Sequence, residues 1–194
     1  MIRSRKDYLR YVAEDMAALG AKSAHPLRSS ANSMVWLTDP VVRWERLLRR
    51  VEYWENCRGG AVWKPVRVFL RWCFQRRSVQ LGFSIPLNTC GPGLCILHYG
   101  SIVISRHSRL GANCTLNSCV NIGARPGETA APVIGDGCYI GPGAKLWGGI
   151  AIADGVVVGA NTCVSKDVVD PGCSVVGVNR VILRESKGKE GASR

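Results

Sequence analysis

The sequence lacks an apolar run of the roughly 20 residues that a membrane-spanning helix needs. Charged residues occur among the apolar ones near its start (Arg5, Lys6, Asp7 and Glu14), which excludes a secretory signal peptide. The nine cysteines form no C-x-x-C pair, and an odd number of cysteines cannot all pair as disulfides. We therefore expect a cytoplasmic protein with no zinc site or other metal site and no disulfide framework.

Acidic residues are absent from Asn56 to Gly127, a stretch that carries nine lysines and arginines. The whole chain has a formal net charge of +12. Such a basic region is typical of proteins that bind nucleic acid, an anionic membrane or a phosphorylated small molecule. A solvated basic surface without a specific partner explains it equally well. No nucleic-acid-binding motif accompanies it, so we expect no nucleic-acid partner.

The N-terminal part of the chain carries hydrophobic residues at helical spacing. In the first predicted helix, Ser4 is the N-cap and Gly20 marks the C-terminal end. In the second, Thr38 or Asp39 caps a first turn that contains Pro40.

A third helix is predicted over about Pro65 to Gln80. The apolar stripes of the second and third helices predict packing surfaces rather than a cofactor site. They contain Trp44, Leu48 and Val51 in the second helix, and Val66, Phe69, Leu70, Cys73 and Phe74 in the third. The four arginines of the second helix are expected to lie largely off its apolar stripe; they are Arg43, Arg46, Arg49 and Arg50.

From about residue 82 an aliphatic residue recurs every six positions, a period that belongs neither to a helix nor to a half-buried strand. The aliphatic positions are Ile104, Leu110, Leu116, Ile122, Ile134, Ile140, Leu146, Ile152, Val158 and Val164. The fourth residue after an aliphatic position is small or β-branched, as at Ser108, Cys114, Val120, Cys138, Ala144, Val156 and Thr162.

A short strand followed by a turn explains a six-residue unit. Three such units close a triangular coil of about eighteen residues, and coils stack at the strand spacing of about 4.8 Å. The aliphatic residue and the small fourth residue then both point inward, so Cys114 and Cys138 are predicted to be buried and unreactive. Stacked coils share one core and form a solenoid.

Three segments, IGDGCYIGPGAKLWG, IADGVVVGANTCVSKDV and VVGVNRVI, resemble the hexapeptide-repeat acyltransferases. The segment SIPLNTCGPGLCILHYGSIVIS resembles more specifically the serine acetyltransferase branch, of the type found in polysaccharide gene clusters. The resemblance implies a mainly β fold, a left-handed parallel β-helix of hexapeptide repeats with an α-helical N-terminal region. We expect the helical region over residues 1–80, the acyltransferase domain over 82–183 and a basic flexible tail over 184–194.

Two interruptions of the six-residue period mark where chemistry is expected, because a prism of aliphatic residues carries no reactive group. Ile96 and Ile104 lie eight residues apart, and the two additional residues fall in a turn that contains His98. The insertion over 123–132 is one hexapeptide longer than a plain turn. We expect it to protrude and to wall a pocket on a neighbouring chain.

The chain has only three histidines, His25, His98 and His107. By spacing alone, His98 is as consistent with a buried, hydrogen-bonded imidazole as with a catalytic base. We expect His107 to be exposed and His25 to be solvated. The resemblance aligns His98 with the catalytic histidine of the family, where a neutral imidazole takes the proton of an attacking hydroxyl and a backbone N–H holds the oxyanion.

The resemblance further implies an acetyl-CoA-dependent O-acetyltransferase that needs no metal and assembles as a homotrimer. A dimer of trimers and a peripheral membrane contact through the basic helices stay open. Coenzyme A would lie in the groove between two prisms, near Gly141, Gly143, Ala144, Gly159 and Ala160, with its phosphates near Lys145, Lys166 and Arg180.

The chain departs from true serine acetyltransferases before His98. Those enzymes orient the catalytic histidine with an aspartate about fifteen residues earlier, where this chain reads Phe83-Ser84-Ile85. The group that orients His98 is then expected to be Glu128 of a neighbouring chain, Glu14 or Asp15 of the helices, or a backbone carbonyl.

A second departure concerns the acceptor. Serine acetyltransferases hold the serine carboxylate with an Arg-His pair, where this chain has Ala130 and Ala131. Arg125, and less directly Glu128, are the candidate acceptor-binding residues of the insertion. We therefore expect the hydroxyl of a saccharide or other small molecule as acceptor, with L-serine (cysteine biosynthesis) as the alternative and a non-catalytic scaffold as the third hypothesis.

Overall fold

The computed structural model describes residues 1–22 and 38–183, so the predictions for His25 and for a tail over 184–194 lie outside the described residues. The described residues form three α-helices and one 3-10 helix, followed by fourteen short strands. The helices are α1 (Arg5–Lys22), α2 (Pro40–Cys57) and α3 (Lys64–Leu81), with the 3-10 helix at Ala61–Trp63. The strands are β1 (Phe83–Ser84), β2 (Cys95–Ile96), β3 (Ile102–Ile104), β4 (Arg109–Leu110), β5 (Thr115–Leu116), β6 (Asn121–Gly123), β7 (Val133–Ile134), β8 (Tyr139–Ile140), β9 (Lys145–Trp147), β10 (Ala151–Ile152), β11 (Val157–Val158), β12 (Cys163–Val164), β13 (Ser174–Val176) and β14 (Arg180–Ile182).

The strands form three sheets, which are the three faces of a prism. Face A contains β1, β3, β6, β9 and β12, face B contains β4, β7 and β10, and face C contains β2, β5, β8, β11, β13 and β14. Every pairing is parallel except the last, between β13 and β14. From β2 to β12 the strands lie on faces C, A and B in turn, which confirms the predicted triangular coil. By residue count the described chain is not mainly β, because each strand has only two or three residues.

The strand register confirms both predicted interruptions. In the regular part of the prism Tyr139 pairs with Val157, eighteen residues later. Cys95 pairs with Thr115, twenty residues later, so two additional residues lie in the first coil beside His98. Asn121 pairs with Lys145, twenty-four residues later, which places one extra hexapeptide in the insertion.

The inward positions are filled as the sequence predicts. All ten aliphatic residues and all seven small residues named above are buried. Successive coils approach so closely at their turns that some positions admit no side chain: a Cβ added to Gly135 would lie 2.8 Å from the backbone nitrogen of Asp154. Glycine after the aliphatic residue therefore reflects close stacking of the coils.

The helix starts agree with the sequence. The Ser4 hydroxyl accepts from the Asp7 N–H at 3.0 Å, and the Asp39 carboxylate accepts from the Val41 and Val42 N–H groups at 2.8 and 3.1 Å. The predicted end of the first helix at Gly20 is wrong by two residues, since α1 continues to Lys22. Helix α3 exceeds its predicted bounds by one residue at each end and stops at Gly82, whose φ of 75° suits glycine.

Helix α2 packs on the first coil and shares its core. Val41, Trp44 and Leu48 belong to the same buried cluster as Phe83 and the inward residues of the prism. The Trp44 ring meets the Phe83 ring edge-on with centroids 4.9 Å apart. The Trp44 indole N–H donates to the Ser78 hydroxyl of α3 at 2.8 Å, so one side chain ties both helices to the prism.

A buried ion cluster closes the open end of the prism. The Arg49 guanidinium contacts the Asp15 carboxylate of α1 at 2.7 Å and the Glu52 carboxylate of α2 at 3.0 Å. Arg49 also donates to the carbonyl oxygens of Cys90 and Gly91 in the first coil, at 3.0 and 2.6 Å. No earlier coil is present to bond these backbone groups, and side chains of the helices form the hydrogen bonds instead.

Burial raises the pKa of the Cys90 thiol to about 11. For Arg49, burial alone would lower the pKa, but the carboxylates of Asp15 and Glu52 raise it above its ordinary value, so the guanidinium is charged. Arg49 lies off the Trp44 stripe, as the spacing predicts, but it is fully buried, which the sequence did not indicate. Phe69 was predicted to pack with the α3 stripe and is instead exposed. Across the described helices, none is long and apolar enough to cross a membrane.

Replacing Arg49 with alanine is expected to destabilise the protein by about 3–5 kcal/mol, because the Asp15 and Glu52 carboxylates stay buried without their cation. Denaturant unfolding measures the loss. The matched control is Arg50→Ala on the exposed side of the same helix, for which we expect a change below about 0.5 kcal/mol. Equal effects of the two substitutions would contradict a closing role for Arg49.

Candidate functional site

The turn between β2 and β3 presents His98 to solvent. His98 and the neighbouring Tyr99 are both exposed in the chain. Gly100 anchors the turn, because its N–H donates to the Leu81 carbonyl at the end of α3 at 3.0 Å. Of the two roles that the spacing left open for His98, the buried imidazole is therefore not what the structure has.

Two carboxylates from the helices hold the strand that leads to His98. The Leu94 N–H donates to Asp15 at 2.9 Å, and the Ile96 N–H donates to Glu45 at 3.0 Å. Strand β2 is the edge of face C, and these bonds satisfy N–H groups that would otherwise lack a partner strand. Asp15, one of the acids expected to orient the imidazole, is instead engaged with the strand backbone and with Arg49.

The other expected acids also have partners on this chain. Glu14 lies 3.9 Å from Arg10 on the exposed side of α1. Glu128 lies 4.0 Å from Arg125 in the insertion. Neither contact brings a carboxylate to His98 within one chain.

One corner of the prism carries His98 and most of the predicted coenzyme residues. We call the turns between faces C and A the His98 corner, which comprises residues 97–101, 117–120, 141–144, 159–162 and Gly177 of successive coils. Backbone hydrogen bonds hold this column together: the Gly143 N–H donates to the Ser118 carbonyl at 3.0 Å and the Asn161 N–H to the Pro142 carbonyl at 2.8 Å. The structure therefore places Gly141, Gly143, Gly159 and Ala160 in line with His98.

The backbone N–H groups along this corner are already used. Those of Gly141, Gly143 and Gly159 donate to carbonyl groups of adjacent coils. A ligand would therefore meet the partly exposed surface of Gly143 and Gly159 rather than their N–H groups, whereas Gly141 is buried and its carbonyl accepts from the Ala144 N–H at 3.2 Å. Ala144 is completely buried and both its backbone groups are bonded, so it supports the corner from inside and offers no surface to a ligand.

Close stacking explains why this surface is bare. A Cβ added to Gly141 would lie 2.8 Å from the carbonyl carbon of Gly159, so a larger residue does not fit at this coil spacing. A side chain at Gly143 would collide with Asn161, and the φ of 73° at Gly143 is itself a conformation that favours glycine.

The three predicted phosphate-binding cations lie at different places. The Lys145 ammonium donates to the Cys119 carbonyl at 2.7 Å, so its head group lies at the His98 corner. Arg180 pairs with Val176 across the last hairpin, next to the lower end of that corner. Lys166 is exposed beyond β12, at the corner between faces A and B, and is therefore not in line with the others.

The insertion lies at the corner between faces A and B, at the other end of face A from His98. The Glu128 N–H donates to the Arg125 carbonyl at 3.0 Å, and Gly127 between them has a φ of 81°. The Arg125 guanidinium lies close over Gly148, where an added Cβ would be 3.1 Å from Nε. One chain therefore does not bring Arg125 and Glu128 to His98.

Sequence reasoning missed the non-glycine turn residues of the His98 corner. Cys119 and Asn161 adopt positive φ angles of 61° and 53° there. Asparagine tolerates this left-handed conformation better than most residues, so Asn161 was recognisable as a turn residue from the sequence. Cys119 had no such signal. In the described part of the chain, no group of three or more His, Cys, Asp or Glu residues is placed to hold a metal ion.

Comparison with known proteins identifies the repeat. Residues 131–166 match the family model described as bacterial transferase hexapeptide (six repeats). The serine acetyltransferase of Mycobacterium tuberculosis is 30% identical over 145 residues, and that of Bacillus subtilis is 33% identical over 139 residues. These alignments cover 73% and 69% of this chain but 60% and 64% of the relatives, and the match to the Buchnera aphidicola serine acetyltransferase covers only 50% of that protein. The chain thus spans between half and two thirds of the length of these relatives.

Solved structures share the fold. A crystal structure of Neisseria gonorrhoeae serine acetyltransferase in complex with serine superposes with a TM-score of 0.71, covering 93% of this chain and 71% of that one at 23% identity. The soybean serine acetyltransferase complexed with serine gives a TM-score of 0.70 at 24% identity, covering 91% and 70%. At these identities the likeness establishes the fold alone.

Thiol alkylation is expected to distinguish the cysteines of the prism. Cys119 is exposed at the His98 corner. Cys114 is buried, and its hydrogen bond with Cys138 together with burial raises the pKa of its thiol. In the native protein we expect iodoacetamide to modify Cys119 well before Cys114 or Cys138, as followed by peptide mass spectrometry.

The control for this labelling is the denatured protein, in which all three thiols should react at similar rates. Native modification of Cys114 or Cys138 as fast as Cys119 would contradict their place in the core.

Proposed function

Because the chain belongs to the hexapeptide-repeat acyltransferases, in the branch that resembles the serine acetyltransferases, we propose that it transfers an acetyl group from acetyl-CoA to a hydroxyl group. The observation that carries this proposal is the exposed His98 at the top of a corner whose two lower turns present Gly143, Gly159 and Ala160 at the surface. A reactive imidazole and a surface on which a long, thin ligand can lie thus occur on one edge.

His98 acts as the general base in this proposal. Its neutral imidazole accepts the acceptor's hydroxyl proton as that oxygen attacks the thioester carbonyl carbon. The tetrahedral intermediate collapses with cleavage of the carbon–sulfur bond, and the imidazolium returns the proton to the departing thiolate. The products are the acetyl ester and free coenzyme A. Alignment of the hydroxyl and the thioester supplies the rest of the acceleration.

Coenzyme A is proposed to lie along the His98 corner, with its thioester at His98 and its pantetheine chain over Gly143, Gly159 and Ala160, while the buried Gly141 supports the corner from below. Lys145, and Arg180 at the lower end, would meet the phosphates. The position of Lys166 supports a phosphate contact only if a neighbouring chain supplies it.

A homotrimer is part of the same proposal, with the left-handed winding that the family implies. The His98 corner and the insertion lie at opposite ends of face A, so each site would combine the His98 of one chain with the Arg125 and Glu128 of its neighbour. Closed threefold symmetry repeats this contact at every seam.

The first acceptor to consider is L-serine, because the relatives described above are named serine acetyltransferases. Its carboxylate needs a cation. Ala130 and Ala131 supply none, and Arg125 is already close to Glu128, at 4.0 Å. Arg125 would have to share its guanidinium N–H groups between an incoming carboxylate and Glu128 of that half-exposed ion pair.

A saccharide hydroxyl is the second candidate acceptor, and the same loop favours it. A neutral acceptor needs no carboxylate clamp, and an adjacent guanidinium and carboxylate such as Arg125 and Glu128 can together donate to and accept from sugar hydroxyls. A saccharide would therefore leave the observed ion pair in place.

Substituting His98 with alanine is expected to lower kcat/KM for acetyl transfer by roughly 100- to 10,000-fold, because the base that accepts the hydroxyl proton is lost. Formation of free coenzyme A, separated by liquid chromatography, measures the rate. His107→Ala, at a second exposed histidine, is the matched control and should retain wild-type turnover.

Light scattering of both variants checks that the assembly is intact. Undiminished turnover in His98→Ala would remove this residue from the mechanism, and absence of turnover in the wild-type protein with every hydroxyl acceptor would favour a scaffold.

We expect the rate of acetyl transfer to depend little on whether the acceptor carries a carboxylate. We predict that L-serine and its methyl ester are acetylated with kcat/KM values within about tenfold of each other, since a bidentate carboxylate clamp is missing from the loop. A panel of neutral sugars assayed in parallel identifies a better acceptor. Discrimination of much more than tenfold in favour of L-serine, abolished by Arg125→Ala, would show that Arg125 replaces the clamp and would reject the saccharide.

A further inference from the structure

Helix α3 exposes its most apolar side chains. Phe69 is 61% exposed, Trp72 57% and Val79 70%, although large apolar side chains are usually buried. The Phe69 and Trp72 rings stack with centroids 6.3 Å apart. Val68 and, in the 3-10 helix before α3, Val62 are exposed as well. These residues form an apolar strip on the outside of the molecule, which we call the α3 outer face.

The helix is oriented by what it buries. Leu70 and Ser78 are its buried residues, and Phe74 and Leu81 pack partly against the prism. Since each residue turns the helix by about 100°, positions 69, 72 and 79 then point away from the prism. The strip from 68 to 79 is about 16 Å long. Its exposure thus follows from the packing of the opposite side.

Cations surround this strip without any acid on the helix. Helix α3 contains Lys64, Arg67, Arg71, Arg76 and Arg77 and no aspartate or glutamate. The Arg76 guanidinium lies over the Trp72 ring, 5.6 Å from its centroid. Among the residues that the structure describes, Glu55 of α2 is the acid that forms an ion pair with this helix, with Arg71 at 3.3 Å. The α3 outer face is therefore both apolar and strongly basic.

This charge disfavours a second copy of the chain as the occupant. Two α3 outer faces in contact would oppose arginines to arginines, with no acid of α3 to neutralise them. An anionic surface has the complementary charge. Tryptophan and phenylalanine flanked by arginine are the residues with which an interfacial helix enters the head-group region of a bilayer.

We propose that the α3 outer face binds the surface of an anionic lipid bilayer. Phe69, Trp72 and Val79 enter the head-group region, and the flanking cations contact lipid phosphates. A groove of about 780 Å³ opens beside the strip and continues its apolar surface; Trp72, Phe74, Val79, Ile85 and Leu87 are among its lining residues. The prism would then stand on the membrane with the first coil, which carries His98, nearest to it.

The inference goes beyond the proposed acetyl transfer and does not depend on it. None of the residues of the α3 outer face lies on the His98 corner. Membrane binding and turnover on a dissolved acceptor can therefore fail separately.

Co-sedimentation with vesicles tests the proposal directly. We expect the full-length wild-type protein to bind vesicles of phosphatidylcholine mixed with phosphatidylglycerol, and to bind phosphatidylcholine vesicles far more weakly. Raising the salt concentration should weaken binding, because exposed charges are screened. A wild-type protein that ignores phosphatidylglycerol vesicles at low salt overturns the proposal without the use of any variant.

Two variants separate the apolar and the charged contributions. The double substitution Phe69→Ser with Trp72→Ser should weaken partitioning by roughly tenfold or more. Arg76→Ala should weaken it by about fivefold. The matched controls are Val169→Ser and Arg106→Ala, exposed residues of the prism outside α3, which should bind like the wild type.

Light scattering and thermal unfolding of the same samples establish whether the variants keep their fold and assembly. Vesicle binding unaffected by the double substitution overturns the proposal, because contact then lies elsewhere. A change of oligomeric state in the double variant also overturns it and identifies the α3 outer face as a contact between copies of the chain.

Discussion

Arg49 closes the first coil of the prism, and the rest of the structure depends on that closure. A stack of parallel coils ends in strands whose backbone groups have no further coil to pair with. Here the Arg49 guanidinium donates to the carbonyl groups of Cys90 and Gly91, while the Asp15 carboxylate accepts from the Leu94 N–H. The cost of burying these charges is offset because each ion meets both an opposite charge and a backbone dipole. The same contacts hold the strand before His98, so the stability of this end and the position of the imidazole have a common origin.

The regular repeat forms the frame, and its interruptions carry the candidate functional residues. A coil in perfect register turns its aliphatic residues inward and places no catalytic base at its corner. Two additional residues in the first coil bring His98 out into solvent, while the coils below keep their turns small because they stack closely. An exposed base above a bare edge is an arrangement that a long thioester ligand can follow. The arrangement also explains why alanine and glycine recur at these turns, where a larger side chain would collide with the next coil.

The N-terminal helices pack against the prism on one side and expose apolar and basic residues on another. One side of α2 and α3 extends the core of the prism through Trp44 and Phe74. The other side of α3 carries Phe69 and Trp72 outward among arginines. A helix that contributes to the core with one face can still present an apolar and basic surface with the opposite face. In the proposed arrangement that surface would orient the site with respect to a membrane.

The local pattern of the sequence determined the prism. A six-residue period reflects short strands and turns, whose conformation depends on residues close in sequence. The inward positions, the coil length and both interruptions were therefore predictable from the sequence. The helix caps at Ser4 and Asp39 were predictable for the same reason. Tertiary structure alone decided what crosses between elements. Arg49 lies off the apolar stripe of its helix, as the spacing predicts, yet it is buried because α1 brings it the Asp15 carboxylate and the first coil brings it two carbonyl groups, in addition to Glu52 of its own helix. Phe69 fits an apolar stripe by spacing but lies outside because α3 packs on the prism through Leu70 and Ser78. Helical periodicity says which residues share a face, but which face meets the prism is set by contacts between residues far apart in the chain.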